Sequence, residues 1–378
     1  MDVQPPQGPS HSQLSQDTNA QERKYQHLEM ANQAQSPASE LRQDFYYEPL
    51  FGAHPEQNKL RNERKSFNFL GKEMLYPVWI SSMTGGTGKA RHINQNLAKA
   101  AGEFGFGLGL GSCRGLLDGK KYWEDFNLRP LLGEKAPFFA NLGIAQIEQL
   151  LDTGDISKLQ NLVQGLDADG LIIHINPLQE WFQPEGDRLK YAPIDTLEKL
   201  LNEIKFPLIV KEVGQGMGPR SLEALIKMPL AAIEFGAFGG TNFSLLEKLR
   251  MHSNHQKLED DLFFKSREEM TREGLVRVGH TAEEMVQFCL SIMNRLGENA
   301  LCRNFIASGG IQDTLAGYRL VKQFENNVHS TQGARPEMVF GMARAFLLHA
   351  TDEYEHLKTF CESFIETYEM AENFLDVR

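Results

Sequence analysis

Eight short apolar runs follow one another between residues 78 and 343, and longer stretches with helical periodicity separate them. Each run is almost continuously apolar, which is typical of parallel strands covered by helices on one side and packed on the other. The runs are Val78–Met83, Phe106–Leu110, Phe138–Gly143, Gly170–Asn176, Leu208–Val213, Ala231–Phe235, Phe305–Gly309 and Met338–Ala343. This alternation predicts an α/β fold, a closed TIM (β/α)8 barrel, with a doubly wound open sheet as the alternative.

The flanking segments lack this regular alternation. Residues 1–20 are rich in Gln, Ser and Pro and predict a disordered tail, because they have few apolar side chains to bury. Residues 21–75, with an alternating run at Ser66–Phe69, predict an N-terminal cap on a barrel that spans 76–350, and 351–378 predict a C-terminal helix. The polar stretch 251–280 predicts an elaborated loop, either a lid or a surface excursion.

Composition narrows the class of protein. The chain has 378 residues, 41% hydrophobic and 24% charged, which is ordinary for a globular protein. A formal net charge of −11 argues against nucleic-acid and anionic-membrane partners, which need clustered cations. No signal peptide, no long apolar span and no CxxC pair is present, so we expect a soluble cytoplasmic protein with free thiols at Cys113, Cys289, Cys302 and Cys361.

Polar clusters follow almost every apolar run. In a barrel these positions meet at the C-terminal face, where active sites form. The clusters are Ser82–Thr87, Gly111–Arg114, Asn141, His174–Glu180, Lys211–Gly214, Gly239–Thr241, Ser308–Gly310 and Gly341–Arg344. The glycine sets after the last three strands suit a phosphate, because backbone N–H groups can approach it closely there, although turn formation explains many single glycine pairs.

Lys211 ends an apolar strand and needs a partner for its charge. The N1–C2 carbonyl edge of a flavin is one candidate, since reduction places negative charge there. A surface lysine or an ion pair with Glu212 is the alternative.

The segment from His174 to Glu180 is the densest polar group, with His174 and Asn176 on one face of the strand end and Gln179 and Glu180 in the loop beyond Pro177. A carboxylate there could hold Mg²⁺ bound to substrate phosphates. The alternative is a helix-capping acid beside a packed histidine. Arg23, Lys24 and His27, on one helical face, form either a diphosphate clamp or a solvated surface.

Taken in order, these segments resemble the type 2 isopentenyl diphosphate isomerases. The resemblance runs from about residue 21 to about 346, and its most specific motifs are His174-x-Asn176-Pro177-Leu178-Gln179-Glu180 and Pro184-Glu185-Gly186-Asp187. It implies a TIM barrel that binds FMN and Mg²⁺ and converts isopentenyl diphosphate into dimethylallyl diphosphate. It implies FMN contacts at Met83, Thr84, Ser112, Asn141, Lys211, Thr241, Gly310 and Ala343. It implies diphosphate contacts at Arg23, Lys24, His27, Arg114, His174 and Asn176, with Gln179 at the double bond and Glu180 on the metal.

The same resemblance implies NADPH or another reductant, because the flavin must be reduced although the isomerisation has no net redox change. It also implies a homo-oligomer, a tetramer or an octamer. We find no strand-turn-helix GxGxxG for a dinucleotide. An amide such as Gln179 is a poor acid, so we expect it to orient or relay a proton.

Some positions depart from the family pattern. Gln26 stands where Glu is usual, Gly236 where a serine often meets the flavin, and Gln312 where an arginine is usual, and residues 323–336 form a polar insertion. FMN affinity is the property these departures affect. Two rival functions remain: another FMN barrel enzyme resembling the 2-hydroxy-acid oxidases, and a flavin-binding relative without catalysis.

Overall fold

The computed structural model describes residues 11–55, 64–82, 84–86, 90–119, 122–254, 274–329 and 335–378, with backbone only for 11–20 and 251–254. Met83, most of the predicted 251–280 loop and part of the 323–336 insertion therefore lie outside the described residues. The strands are β1 Phe45–Tyr47, β2 Phe67–Phe69, β3 Lys72–Met74, β4 Val78–Ile80, β5 Gly107–Gly109, β6 Phe138–Gly143, β7 Gly170–Ile175, β8 Leu208–Glu212, β9 Ala232–Glu234, β10 Asn304–Ser308, β11 Glu337–Met342 and β12 Leu375–Val377. The α-helices are α1 His11–Met30, α2 Ala90–Phe104, α3 Trp123–Phe126, α4 Arg129–Leu132, α5 Ile144–Thr153, α6 Ser157–Gly165, α7 Pro177–Phe182, α8 Pro193–Glu203, α9 Pro219–Ile226, α10 Phe243–Asn254, α11 Ala282–Leu296, α12 Thr314–Asn327, α13 Arg344–Ala350 and α14 Tyr354–Phe374.

Strands β4 to β11 form a closed barrel in which every neighbouring pair is parallel. Strand order around the barrel follows chain order, with β11 pairing with β4 to close it. Each predicted apolar run overlaps one of these strands, so the predicted TIM barrel is confirmed and the open sheet is excluded.

The barrel interior is apolar at the N-terminal ends of the strands. Its fully buried core is Trp79, Phe139, Ile172, Ile209, Ala232, Ile306 and Val339, one residue from each of seven strands. Phe69 and Met74 from the β2–β3 hairpin join this core. The hairpin turns through Leu70 and Gly71, both with positive φ, as a tight type I′ connection requires. The hairpin therefore fills the N-terminal end of the barrel.

Two ion pairs lie at the rim of this N-terminal end, and both involve Asp169. Lys72 of the hairpin lies 3.2 Å from the Asp169 carboxylate, just before β7. Arg129 donates to the same carboxylate at 2.9 Å and to the Asp167 and Ala136 carbonyls. The hairpin and these ion pairs thus close the N-terminal end, so the opposite end is where a ligand can enter.

The chain divides into two compact units, one from its start to Tyr46 together with Arg378, and one from Tyr47 to Val377. The first unit contains α1, which begins at His11, inside the predicted tail, and ends at Met30. Arg42 and Asp44 form an ion pair there at 3.0 Å. The second unit contains the hairpin, the barrel and α14, the predicted C-terminal helix, so the predicted cap 21–75 is divided between the units.

Among the described residues, none of the helices combines the length and the apolar character that crossing a membrane requires.

Candidate functional site

A second interior layer lies above the apolar core, toward the C-terminal ends of the strands. Because alternate residues of a strand face the same side, the residue two positions beyond each core residue also faces inward. This layer consists of Ser81, Gly109, Asn141, His174, Lys211, Glu234, Ser308 and Gly341. Small and polar side chains therefore replace the bulky apolar ones at this end.

A cavity of about 110 Å³ lies over this layer, at the ends of β4 and of β8 to β11. Four of the predicted FMN contacts line it, namely Lys211, Thr241, Gly310 and Ala343. Ser81, Ser308 and Arg344, which were not among the predicted contacts, line it as well. The predicted convergence of the late strands at one face is thus confirmed for these residues.

The glycine sets after β9 and β10 lie against each other in the cavity wall. Gly239, Gly309 and Gly310 all have positive φ. A Cβ added to Gly240 would lie 3.0 Å from the Gly310 nitrogen, and one on Gly310 would lie 2.9 Å from the Phe238 carbonyl oxygen. Only glycine fits this approach, and it leaves peptide groups as the cavity lining, which suits an anion.

Lys211 is buried and makes two contacts. Its Nζ donates to the Glu212 carbonyl oxygen at 2.7 Å and lies 3.6 Å from a Glu234 carboxylate oxygen. The ion pair that the sequence offered as an alternative, with the Glu212 side chain, is wrong. The charged partner is Glu234, which the register of β8 and β9 places directly opposite Lys211.

The Glu212 side chain has a structural task instead. One of its oxygens accepts hydrogen bonds from the backbone nitrogens of Gly214, Gln215 and Gly216, at 2.6 to 2.9 Å. Burial raises the pKa of the Glu212 carboxyl, and these three hydrogen bonds oppose the rise because they favour the charged form. The carboxylate therefore fixes the turn that follows β8 beside the cavity.

His174 and Asn141 form a hydrogen-bonded pair. His174 Nδ1 lies 2.7 Å from Asn141 Oδ1, so the ring donates through Nδ1 and keeps a lone pair on Nε2. Burial, followed by the charge of Lys211, lowers the pKa of His174 to about 4. The imidazole is neutral at pH 7.

Gln179 and Glu180 lie on helix α7, not in the loop that the sequence predicted. Asn176 precedes this helix and joins the group through Nδ2, which donates to Glu180 Oε1 at 2.8 Å and to Gln179 Oε1 at 3.2 Å. The Asp187 backbone nitrogen donates to the other Glu180 oxygen at 2.8 Å. Asn176, Gln179 and Glu180 are thus brought together as predicted.

No group of three or more His, Cys, Asp or Glu side chains placed to hold a metal ion occurs in the described part of the chain. Glu180 is the predicted ligand, and any metal there would need oxygens from elsewhere. Mg²⁺ accepts this arrangement, because it commonly takes one or two carboxylates and completes its shell with water and phosphate.

The remaining predicted diphosphate contacts are placed differently. Arg114 forms an ion pair with Asp187 at 3.0 Å, and its side chain is 60% exposed. Such an exposed pair contributes little stability, so an incoming anion could compete for the guanidinium. Arg23, Lys24 and His27 are exposed on α1 of the first unit, and their predicted clamp stays a prediction.

The other predicted FMN residues lie on β6 and in the loops after β4 and β5. Asn141 contacts His174, Thr84 donates a hydrogen bond to Asn94, and Ser112 is partly buried beside Gly85. Met83 lies outside the described residues.

Most of the buried polar side-chain atoms without a hydrogen-bond partner in the described part of the chain lie toward the C-terminal end of the barrel. These are Trp79 Nε1, the hydroxyls of Ser81 and Ser82, Asn176 Oδ1 and both carboxylate oxygens of Glu234, and the others lie on the outer helices. Native interiors leave few such atoms unpaired, and a cluster of them indicates a polar occupant. The donors, acceptors and glycine backbone fit a phosphate-bearing ligand with a polar ring.

The backbone conformation at Gly236 explains why glycine stands where the resemblance implies a serine. Its φ is +52°, and a Cβ at this position would lie 1.9 Å from the Glu212 carbonyl oxygen. A serine would therefore not fit the backbone that this chain adopts.

Glu234 is the site residue that sequence reasoning missed. Its signal was a charged residue inside the apolar run Ala231–Phe235, but the run did not show which side chain it would face. That information comes only from strand register.

Fold and site together define an α/β-barrel protein with a polar, glycine-lined cavity at the C-terminal mouth, the face where barrel enzymes carry their active sites. No protein-family model matches the chain. Isopentenyl-diphosphate delta-isomerase of Rickettsia prowazekii is 31% identical over 337 residues, covering 89% of this chain and 87% of that protein. The enzyme of the same name from Deinococcus radiodurans is 38% identical over 231 residues, covering 61% and 67%. The chain belongs to the isopentenyl-diphosphate delta-isomerase family.

Solved structures of mandelate oxidase are also similar in outline. One is 10% identical, with a TM-score of 0.47, covering 87% of this chain and 86% of that chain. The likeness is too distant to bear on function.

Proposed function

We propose that this chain interconverts isopentenyl diphosphate and dimethylallyl diphosphate with reduced FMN and Mg²⁺. The observation that most supports this function is that Lys211 and the glycine sets after β9 and β10 line one cavity. The chain that carries this cavity belongs to the isomerase family. The 2-hydroxy-acid oxidase alternative has less support, because Asn176, Gln179 and Glu180 form a connected group that such chemistry does not use.

FMN fits the donor set at the barrel mouth. Gly310 and Ala343 would hold its phosphate with Thr241 beside them, Lys211 would lie along its ring, and Met83, Thr84, Ser112 and Asn141 would complete the contacts. The described cavity is smaller than the roughly 300 Å³ or more of whole ligand pockets, so it would enclose one end of the nucleotide. Reduced FMN supplies electron density and exchangeable protons, and NADPH is the proposed reductant.

The residues of β7 and α7 would then bind and orient the substrate. Glu180 would hold Mg²⁺ on the diphosphate, and Asn176 would keep Glu180 and Gln179 in place. His174 would contact the diphosphate only with a proton on Nε2, which the neutral form lacks. An anionic substrate favours that proton, because it stabilises the imidazolium.

Four further basic side chains and one neutral amide complete the proposal. Arg23, Lys24, His27 and Arg114 would bind diphosphate oxygens. Gln179 would orient or relay the proton at the double bond. Protonating an unactivated alkene at one carbon and deprotonating another passes through a carbocation, so the site must also exclude water.

The proposal is tested by reconstitution. Wild-type protein is first freed of flavin, then incubated with FMN and reduced with NADPH or dithionite. We expect flavin uptake, followed by Mg²⁺-dependent conversion of isopentenyl diphosphate. Glu180→Gln should raise the Mg²⁺ concentration required and leave FMN binding intact, whereas Glu198→Gln, an exposed carboxylate on α8, should change neither. Absence of flavin uptake, or of product with reduced flavin bound, contradicts the proposal. The proposed assembly into a tetramer or an octamer is tested separately by measuring the molar mass with light scattering.

A further inference from the structure

Glu234 is a carboxylate with 0% exposure, and neither of its oxygens has a hydrogen-bond partner among the described residues. A buried charge is costly unless it is paired. The cation that lies near it is Lys211, whose Nζ is 3.6 Å from Oε1. This separation exceeds a hydrogen bond, so the two side chains interact through charge alone.

The ammonium of Lys211 is oriented by its other contact. It has three N–H groups, and one donates to the Glu212 carbonyl oxygen at 2.7 Å. The strand register His174, Lys211, Glu234 sets the three side chains in one interior layer. Lys211 therefore has Glu234 on one side and the cavity that it lines on the other.

We infer that Glu234 is a positioning residue that holds the Lys211 ammonium and offsets part of its charge, and thereby lowers the reduction potential of FMN in the cavity. The inference rests on the proposed function, because it requires the flavin ring beside Lys211. Reduced flavin carries more negative charge than oxidised flavin, so a nearby ammonium favours reduction and a nearby carboxylate opposes it. The net effect of the Lys211 and Glu234 charges therefore sets the reduction potential of the flavin.

The test is the midpoint potential of bound FMN at pH 7 in the reconstituted protein. Glu234→Gln keeps the side-chain volume and removes the charge, so Lys211 acts without an opposing charge. We expect the affinity for reduced over oxidised FMN to rise roughly tenfold, a shift of about 30 mV to more positive potential for a two-electron couple. Lys211→Met should shift the potential the other way. The double variant should lie between the two single variants.

Two further variants separate charge from packing. Glu234→Asp keeps the charge and should shift the potential less than Glu234→Gln does. Glu369→Gln also removes a buried carboxylate, one on α14 that accepts a hydrogen bond from Tyr76, and should leave the potential unchanged. If Glu234→Gln does not fold, Glu234→Asp carries the test: its carboxylate is one methylene further from Lys211, so we expect a smaller rise in potential, and no rise relative to Glu369→Gln contradicts the inference.

If Lys211→Met lowers the midpoint potential but Glu234→Gln leaves it unchanged or lowers it, the inference is overturned. An unchanged potential in Lys211→Met contradicts the ring placement of the proposed function instead. Failure of the wild type to bind FMN overturns both.

Discussion

Gln179 is the side chain whose proposed role depends most on local orientation. Its Oε1 accepts a hydrogen bond from Asn176 Nδ2 at 3.2 Å, which leaves its amide N–H groups to donate elsewhere. A neutral amide neither gains nor loses a proton readily, so its contribution would come from position. The hydrogen bond to Asn176 supplies that position.

We expect Gln179→Ala to lower kcat by about 10²-fold and to change KM little, because a group that positions a proton acts in the chemical step. Single turnover with prereduced enzyme in deuterated water measures the loss. Gln183→Ala, at the end of the same helix and bonded to Glu247, should keep normal turnover. Normal turnover and deuterium incorporation in folded Gln179→Ala would rule out the role.

His174 makes the stability of the protein depend on pH. Its pKa is about 4 in the folded chain and about 6.5 when unfolded, so the unfolded chain binds the proton more tightly. The resulting stability is present above pH 6.5 and is lost as pH falls toward 4, by at most about 3 kcal/mol.

Urea unfolding of the wild type and of His174→Gln, compared between pH 7.5 and 4.5, tests this dependence. Glutamine can still donate to Asn141 but does not titrate, so the variant should lose less stability on acidification than the wild type. His27→Gln, an exposed histidine on α1, should follow the wild type. Parallel curves for wild type and His174→Gln would contradict the lowered pKa of His174.

At the scale of elements, the β2–β3 hairpin contributes to the barrel core out of proportion to its length. Phe69 is 1% exposed and lies edge-on to Trp79, with ring centroids 6.5 Å apart. It packs with Met74 of β3 against the core residues at the N-terminal end of the barrel.

We expect Phe69→Ala to lower the free energy of unfolding by about 3–5 kcal/mol, because the cavity it leaves lies among fully buried side chains that cannot collapse. Chemical denaturation measures the loss. Phe51→Ala, at a position 85% exposed, should change stability by less than about 0.5 kcal/mol. A loss below about 1 kcal/mol in Phe69→Ala would show that the hairpin is not part of the core.

Helix α7 shows where sequence reasoning failed at this scale. Long apolar runs identified all eight barrel strands because parallel strands buried on both sides leave a continuous signal. A six-residue helix covers less than two turns, too little for its periodicity to appear. Pro177 was interpreted as a loop residue, although proline is also favoured in the first turn of a helix.

For the whole molecule, closure of the barrel explains why some of the predicted site residues line one cavity. Parallel strands bring their C-terminal ends to one face, so Lys211, Thr241, Gly310 and Ala343 could be predicted to meet without any knowledge of distances. The partner of Lys211 could not be predicted. It depends on the register between β8 and β9, which is set by packing around the whole barrel and leaves no local trace in the sequence.

The backbone conformation at Gly236 limits which amino-acid substitutions this part of the chain can accept. Replacing Gly236 by serine would place a side chain against the Glu212 carbonyl oxygen, at a φ of +52° that disfavours every residue other than glycine. The end of β8 and the turn after β9 would have to move together. Directed evolution of this mouth must therefore vary both segments jointly, because a side chain at position 236 is tolerated only after the end of β8 has moved.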